Sequence, residues 1–286
     1  MRSLRALAFG SPEASLAGMN HQRLLPLLVL PLAACSATGP GDATFRAQRP
    51  FLSSETHTVP DQVIAVEAGA AVAARSQEEY PLAVRYGLGP RSEFYVQTAP
   101  YAKVEVDGPD GEGWGDSYVG MRHRLRDADM YSPAYGFQVA TKLPTGDEGE
   151  GLSSGEIDWF GALMAQQTYY GFETTGFYQL GVLGQQDGPD THFEHTWAAQ
   201  TRYATGSPVT PFAEAAFVWE PDADREEVLF MGGASFQLDH LTAIDLAIRV
   251  GLGDAEDFQV LFGISRALGQ LFFPEQESGG ASSLRD

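Results

Sequence analysis

One cysteine in 286 residues leaves no partner for an internal disulfide, which excludes a disulfide scaffold. Cationic side chains are also scarce: 18 Lys and Arg stand against 38 Asp and Glu, a formal charge of −20. Such a chain repels phosphate backbones, so nucleic acid is excluded as a partner. Outside the N-terminus no run of eighteen apolar residues occurs, so no segment there is apolar enough to cross a bilayer as a helix. Helical periodicity is missing from residue 62 onward. A membrane β-barrel passes these tests, because its strands alternate apolar and polar residues and look only half hydrophobic. No phosphate loop, dinucleotide fingerprint or Cys/His zinc set occurs. Of the six histidines only His192 and His195 fall near the long-loop ends of strands, with no Ser-x-His or His-x-Ser pair beside them. No catalytic residue, metal ligand or cofactor is assigned.

What is present begins with a secretion signal. Met19-Asn-His-Gln-Arg23 precedes the apolar stretch Leu24–Leu32, and Leu32-Ala-Ala-Cys35-Ser follows. A short positive head, an apolar core too short to span, and small residues at the end are the marks of a cleavable signal. The Leu-Ala-Ala-Cys run resembles a bacterial lipobox, which implies lipidation of Cys35. Residues 1–34 are therefore expected to be removed, with Met19 a plausible start. Residues 35–60, rich in Ser, Thr, Gly and Pro, are expected to form a flexible tether.

Twelve period-2 segments follow, bounded by Gly, Pro and Asp. They cover roughly 62–73, 79–88, 91–104, 115–126, 132–143, 156–167, 170–183, 193–204, 208–219, 226–238, 241–251 and 256–267. In 241–251, Ile244, Leu246, Ile248 and Val250 share one face while Asp245 and Arg249 share the other. A tilted strand needs about nine to eleven residues to cross a bilayer. The junctions alternate: 87–90, 127–131, 168–169, 205–207 and 239–240 are short, whereas 106–114, 144–155, 184–192 and 220–225 are mostly longer and acidic. Short turns at one rim and long loops at the other are expected of an outer-membrane barrel and not of a soluble sandwich. Tyr80, Tyr101, Trp114, Tyr131, Trp159, Tyr169, Tyr170, Trp197 and Trp219 lie near strand ends, where interfacial girdles sit. The expected fold is an all-β, antiparallel up-and-down transmembrane barrel over 61–273, with a polar tail at 274–286.

The polar face of that barrel would enclose the interior. Its lumen-lining candidates are Arg122, Arg124, Gln138, Lys142, Glu173, Gln179, Gln200, Arg202, Glu214, Asp245, Arg249 and Gln259. Asp107, Asp110, Glu112 and Asp116 are expected in one outer loop, and Asp147, Glu148, Glu150, Glu156 and Asp158 in the next. Glu220, Asp222, Asp224, Glu226, Glu227, Asp254, Glu256 and Asp257 continue the acidic rim. Oxygen-only clusters of this kind suit Ca²⁺ or Mg²⁺, or are simply solvated.

Two pairs of segments carry a family resemblance. They are Leu82–Phe94 with Gly115–Leu125, and Val139-Ala-Thr-Lys-Leu-Pro-Thr-Gly146 with Ser154-Gly-Glu-Ile-Asp158. Together they resemble the outer-membrane transporter family named for the meta-pathway of phenol degradation, over about residues 58–267. The resemblance implies passive passage or binding of small, often hydrophobic or aromatic, organic solutes. It also implies a bacterial outer-membrane location, with lipids, lipopolysaccharide and the barrel-insertion machinery as partners, long loops outside and both termini periplasmic. A non-transporting surface barrel with cation-binding loops is the alternative reading, and a rim lipid hydrolase a third. The lipobox and the polar residues after Phe273 depart from the family pattern.

Overall fold

Alternation builds the wall. The computed structural model describes residues 46–73, 77–104, 111–184, 191–204, 206–255 and 258–270. The expected signal, Cys35 and the 274–286 tail lie outside these residues. Twelve long strands form the wall. The first six are β1 (Val63–Ala73), β3 (Leu82–Gly89), β4 (Ser92–Thr98), β7 (Ser117–Arg126), β8 (Ala134–Leu143) and β9 (Asp158–Tyr169). The next six are β10 (Phe172–Leu183), β11 (His192–Tyr203), β12 (Val209–Glu220), β13 (Arg225–Asp239), β14 (Thr242–Gly253) and β15 (Phe258–Gln270). Each pairs antiparallel with its neighbour, and β15 returns to pair with β1 from Val63↔Gln270 to Ala73↔Gln259. Closure removes the free edges that lipid cannot hydrogen-bond.

The side chains sort as the period-2 pattern requires. On β9, Trp159 and Leu163 are 60% and 62% exposed on the outer face, while Asp158, Ala162, Met164 and Gln166 are buried on the inner one. Outer positions on β14 and β15 are apolar in unbroken series: Ile244, Leu246, Ile248, Val250, and Phe258, Phe262, Ile264. Leu163 stands mid-strand on this surface, so Leu163→Arg is expected to cost about 2–4 kcal/mol of folding free energy in bilayers, as charges do at the midplane. Reversible urea unfolding in liposomes measures it; a cost near zero would mean that this face meets water.

Short connections gather at one rim: 90–91, 127–133, 170–171, 204–208 and 240–241. Tyr170 and Gly171 both take positive φ, 49° and 82°, as a two-residue hairpin turn with the twist of its strands demands. In 127–133, the Asp129 carboxylate accepts the N–H groups of Tyr131 and Ser132 and pairs with Arg126. These contacts, the Tyr131 N–H foremost, hold its carboxyl below the usual range.

Two expectations change. The segment expected as one strand over 91–104 breaks after Thr98, because Pro100 supplies no ladder N–H. Its remainder, β5 (Ala102–Val104), joins β2 (Gln77–Glu79) and β6 (Gly111–Gly113) in a small extension that continues β1 beyond the long-loop rim. The second change is larger. Residues 46–60, expected within the flexible tether, fold back into the barrel and fill the half of the lumen beneath the long-loop side. The segment enters at the short-turn rim, where Arg46 pairs with Glu173, rises until Leu52 and Ser53 meet Glu214 on β12, and returns so that Asp61 bridges Gly87. Phe51 packs edge-on against Phe212 at 4.8 Å, beside an inner cluster of Met231, Ala247 and Leu261.

Candidate functional site

A segment without a strand partner still has to satisfy its backbone polar groups once it leaves water. Inward side chains of the wall do this. Glu67 accepts the Gln48 N–H at 3.0 Å, and the two Glu214 oxygens accept the N–H groups of Leu52 and Ser53 at 3.0 and 2.9 Å. Gln166 accepts Thr56 N–H at 3.0 Å, and Glu93 accepts Val59 N–H at 2.7 Å. Wall guanidiniums serve its carbonyls, Arg202 donating to Ala47 O at 2.9 Å and Arg249 to Pro50 O at 3.4 Å, while the segment's own Arg49 donates to the wall at Phe262 O at 3.2 Å.

The charges beneath are compensated in pairs. Arg85 bridges Glu67 at 3.2 Å and Glu93, and Arg122 approaches Glu93 at 3.4 Å. Glu55 meets Arg202 Nε at 2.5 Å, and Arg49 faces Asp245 at 3.9 Å. Glu55, His57 and Glu173 bring three ligand atoms within 4.8 Å of one another. The Arg202 and Arg46 guanidiniums already occupy the two carboxylates, so the group is an ion-paired latch. Burial pushes the His57 imidazole down, the Arg46 charge acting in the same sense.

All twelve lumen candidates share the inner face of their strands, and they divide by role. Arg122, Gln138, Glu173, Arg202, Glu214, Asp245 and Arg249 touch or face the folded segment. Arg124 secures the short rim through Pro90 O at 3.0 Å and Asp127 at 3.1 Å. Gln200 is 2% exposed and its amide atoms have no hydrogen-bond partner among the described residues. Lys142, Gln179 and Gln259 face the space above the segment.

That space is a cavity of about 610 Å³, floored by residues 48–54 and walled by Tyr95, Tyr118, Phe160, Lys142 and Glu194 among others. A second, of about 270 Å³, adjoins it and is backed by Phe177, Val218 and Leu229. Several acids expected in solvated loops line these cavities instead. Asp116 and Asp158 flank the Lys142 ammonium at 3.5 and 2.5 Å, with Ser154 Oγ at 2.7 Å. Glu220 and Glu227 both clasp Arg225. The reason is geometric: Asp158, Glu220 and Glu227 stand at inward positions of β9, β12 and β13, and Asp116 directly precedes β7. The Lys142-to-Asp158 stretch thus reads as a clasp that ties loop 144–157 to the mouth.

Other residues escaped the sequence reading. Glu67, Arg85, Glu93, Tyr95 and Phe160 sit on the inner face in strands whose alternation is weaker. Glycine was the available signal for the buried segment: a Cβ on Gly69 would lie 2.1 Å from the Arg49 guanidinium, and one on Gly87 2.0 Å from Pro60 O. Strand glycines of this kind mark close approach of another chain segment. Gly151-Leu-Ser-Ser-Gly155 has the spacing of a nucleophile elbow, but it lies in a loop between two strands with no helix after it, and its central Ser153 Oγ accepts the Gly155 N–H at 3.1 Å. His192 and His195 project from opposite faces of β11 and do not converge. His195 stacks on the outer surface between Trp197 and Trp219, so Trp197, expected in a girdle, lies well down the wall.

The family model described as "Putative MetA-pathway of phenol degradation" matches residues 47–265, which include the folded segment and nearly the whole wall. The chain belongs to this family. Its fold is similar to that of the COG4313 outer membrane channel from Pseudomonas putida F1, at TM-score 0.58 and 13% identity over 74% of this chain and 98% of that one. The KdgM porin gives TM-score 0.52 at 7% identity, covering 71% and 98%, and the NanC porin 0.51 at 10%, covering 71% and 97%. Among curated proteins none matches significantly. The family member is thus a closed twelve-strand barrel of porin-like architecture.

Proposed function

We propose that this barrel is a passive channel of the bacterial outer membrane that admits small organic solutes, with residues 46–60 setting its constriction. The observation that carries the reading is the 610 Å³ cavity, lined by polar and aromatic groups and floored by that segment. A space of this size suits a small organic molecule. The fold it shares with solved outer-membrane channels supports passage through the same lumen. In this reading the long-loop rim faces outward and both termini lie in the periplasm. A lipid on Cys35 would then anchor residues 36–45 beside the short-turn rim. Solutes fall into the outer cavity, shed part of their hydration against its wall, and pass the segment without a bound cofactor. The inward turn of Asp116, Asp158, Glu220 and Glu227 removes carboxylates from the rim that an adhesive surface barrel would present.

Proteoliposomes holding the purified barrel are expected to swell in isotonic glycerol and arabinose faster than empty vesicles. Vesicles tight to both, and tight also to phenol-sized neutral probes followed by fluorescence, would reject the reading.

A further inference from the structure

The charges of the lumen are stratified. Around the folded segment the carboxylates are neutralised by guanidiniums, Glu67 and Glu93 by Arg85 and Arg122, Asp245 by Arg49 and Glu55 by Arg202, or, for Glu214, taken up by the segment's own N–H groups. Above it the balance fails. Lys142 serves two carboxylates, Asp116 and Asp158, and Arg225 serves two more, Glu220 and Glu227. Glu79 and Glu194, which line the same space, have no ion pair among the described residues. Arg49, Arg85 and Arg122 also reach this lining from the floor, where each is paired with Asp245, Glu67 or Glu93, and Arg249 is committed to Gln259 at 3.1 Å and Pro50 O. Across the two adjoining cavities, eight carboxylates meet six cations among the described residues, and Glu79 and Glu194 are the pair left without a salt bridge beside the aromatic wall.

The wall beside that excess is aromatic. Tyr118 on β7 and Phe160 on β9 face the cavity with ring centroids 6.1 Å apart and planes at 43°. Tyr118 shares the lining of this cavity with Glu79, Asp116, Asp158 and Glu194. Tyr95 stands on β4 beside them, its ring lying over the inward face of Gly120, where a Cβ would come within 2.4 Å of it. Ring faces carry negative potential, and a cation over them gains about 0.5–2 kcal/mol, the more so when water is displaced. Negative charge unbalanced by local cations, next to ring faces, in a space for a small molecule, is the chemistry that holds a compact organic cation.

We propose that the outer cavity is a binding chamber for small organic cations, amines or quaternary ammonium compounds with an apolar body, seated between the Tyr118–Phe160 wall and the Glu79 and Glu194 carboxylates. The proposal deepens the channel reading by naming the solute class, and it rests on that reading only for passage, not for binding.

The test is isothermal titration of the full-length barrel in detergent with three aromatic probes: benzyltrimethylammonium, its uncharged carbon isostere neopentylbenzene, and benzoate. Benzyltrimethylammonium is expected to bind at least about tenfold more tightly than either. The pair Glu79→Gln with Glu194→Gln should erase that preference, and Tyr118→Leu should weaken it while leaving benzoate unchanged. Heat-modifiable migration confirms that each variant is folded. Equal binding of the three probes, or a preference for benzoate, overturns the proposal. The swelling assay is read separately. A barrel that selects the cation but seals vesicles keeps the chamber and loses the channel, and one that swells them without cation preference does the reverse.

Discussion

Deleting residues 46–58 is expected to raise the single-channel conductance of the barrel several-fold in planar bilayers. The segment occupies the lumen from the short-turn rim up to the Glu214 level on β12. No strand of the wall depends on it for pairing, since each long strand has two neighbours and β15 closes on β1. The variant should therefore fold, which its heat-modifiable migration reports. The groups that the segment leaves behind, Glu67, Glu93, Gln166 and Glu214, would be hydrated by the water that replaces it. A folded variant with unaltered conductance would show that the constriction lies elsewhere, in the Lys142 clasp at the mouth. A milder form of the same experiment is Gly69→Val, whose side chain competes with the Arg49 guanidinium for one position and should unseat the segment in part.

The second large effect concerns the charge network beneath. Glu93 is fully buried, receives Arg85, lies 3.4 Å from Arg122 and accepts the Val59 N–H. Removing one member of a buried network leaves its partners charged and uncompensated, which costs about 3–5 kcal/mol. Glu93→Ala is expected to lower barrel stability by that amount, because Glu67 alone cannot balance two guanidiniums. Urea titration in liposomes measures it. Glu93→Leu combined with Arg85→Met should cost less than the sum of the single changes, since both halves of the closest pair are then gone. A loss below about 1 kcal/mol for Glu93→Ala would place the network in the range of solvated surface pairs.

The two predictions differ in how far the sequence points to them. The β14 and β15 strands were legible because one face of each is unbroken Ile, Leu, Val and Phe, which only lipid or a core accepts. The parity of the connections was legible too, since long acidic stretches declare the opposite rim, although the turn expected at 168–169 falls two residues later, at Tyr170-Gly171. Alternation carried all twelve lumen candidates to the inner face, because a strand of period two has no third direction in which to send them. The aromatic wall was less visible, since Tyr118 and Phe160 lie on strands that are not adjacent and meet only across the inner face of β8.

Residues 46–60 were unreadable for a physical reason. They have no periodicity, since they make no ladder, and their backbone is satisfied by side chains that lie up to 199 residues away in the chain. Polar composition without period looks the same whether water or a ring of carboxylates and amides supplies the hydrogen bonds. The same blindness put Asp116, Asp158, Glu220 and Glu227 in open loops. Acidity says nothing about whether a lysine or arginine from another strand waits opposite.

The chain by itself determined that a closed antiparallel wall would form, which residues of each strand would meet lipid, and which rim would carry the long loops. These follow from period and turn chemistry, both local properties. Only the tertiary structure decided that the interior is half filled by the chain's own N-terminal segment, and that carboxylates outnumber cations in the half left open. Those outcomes depend on which side chains face one another across the lumen, a relation set by closure of the barrel and written in no single stretch of sequence.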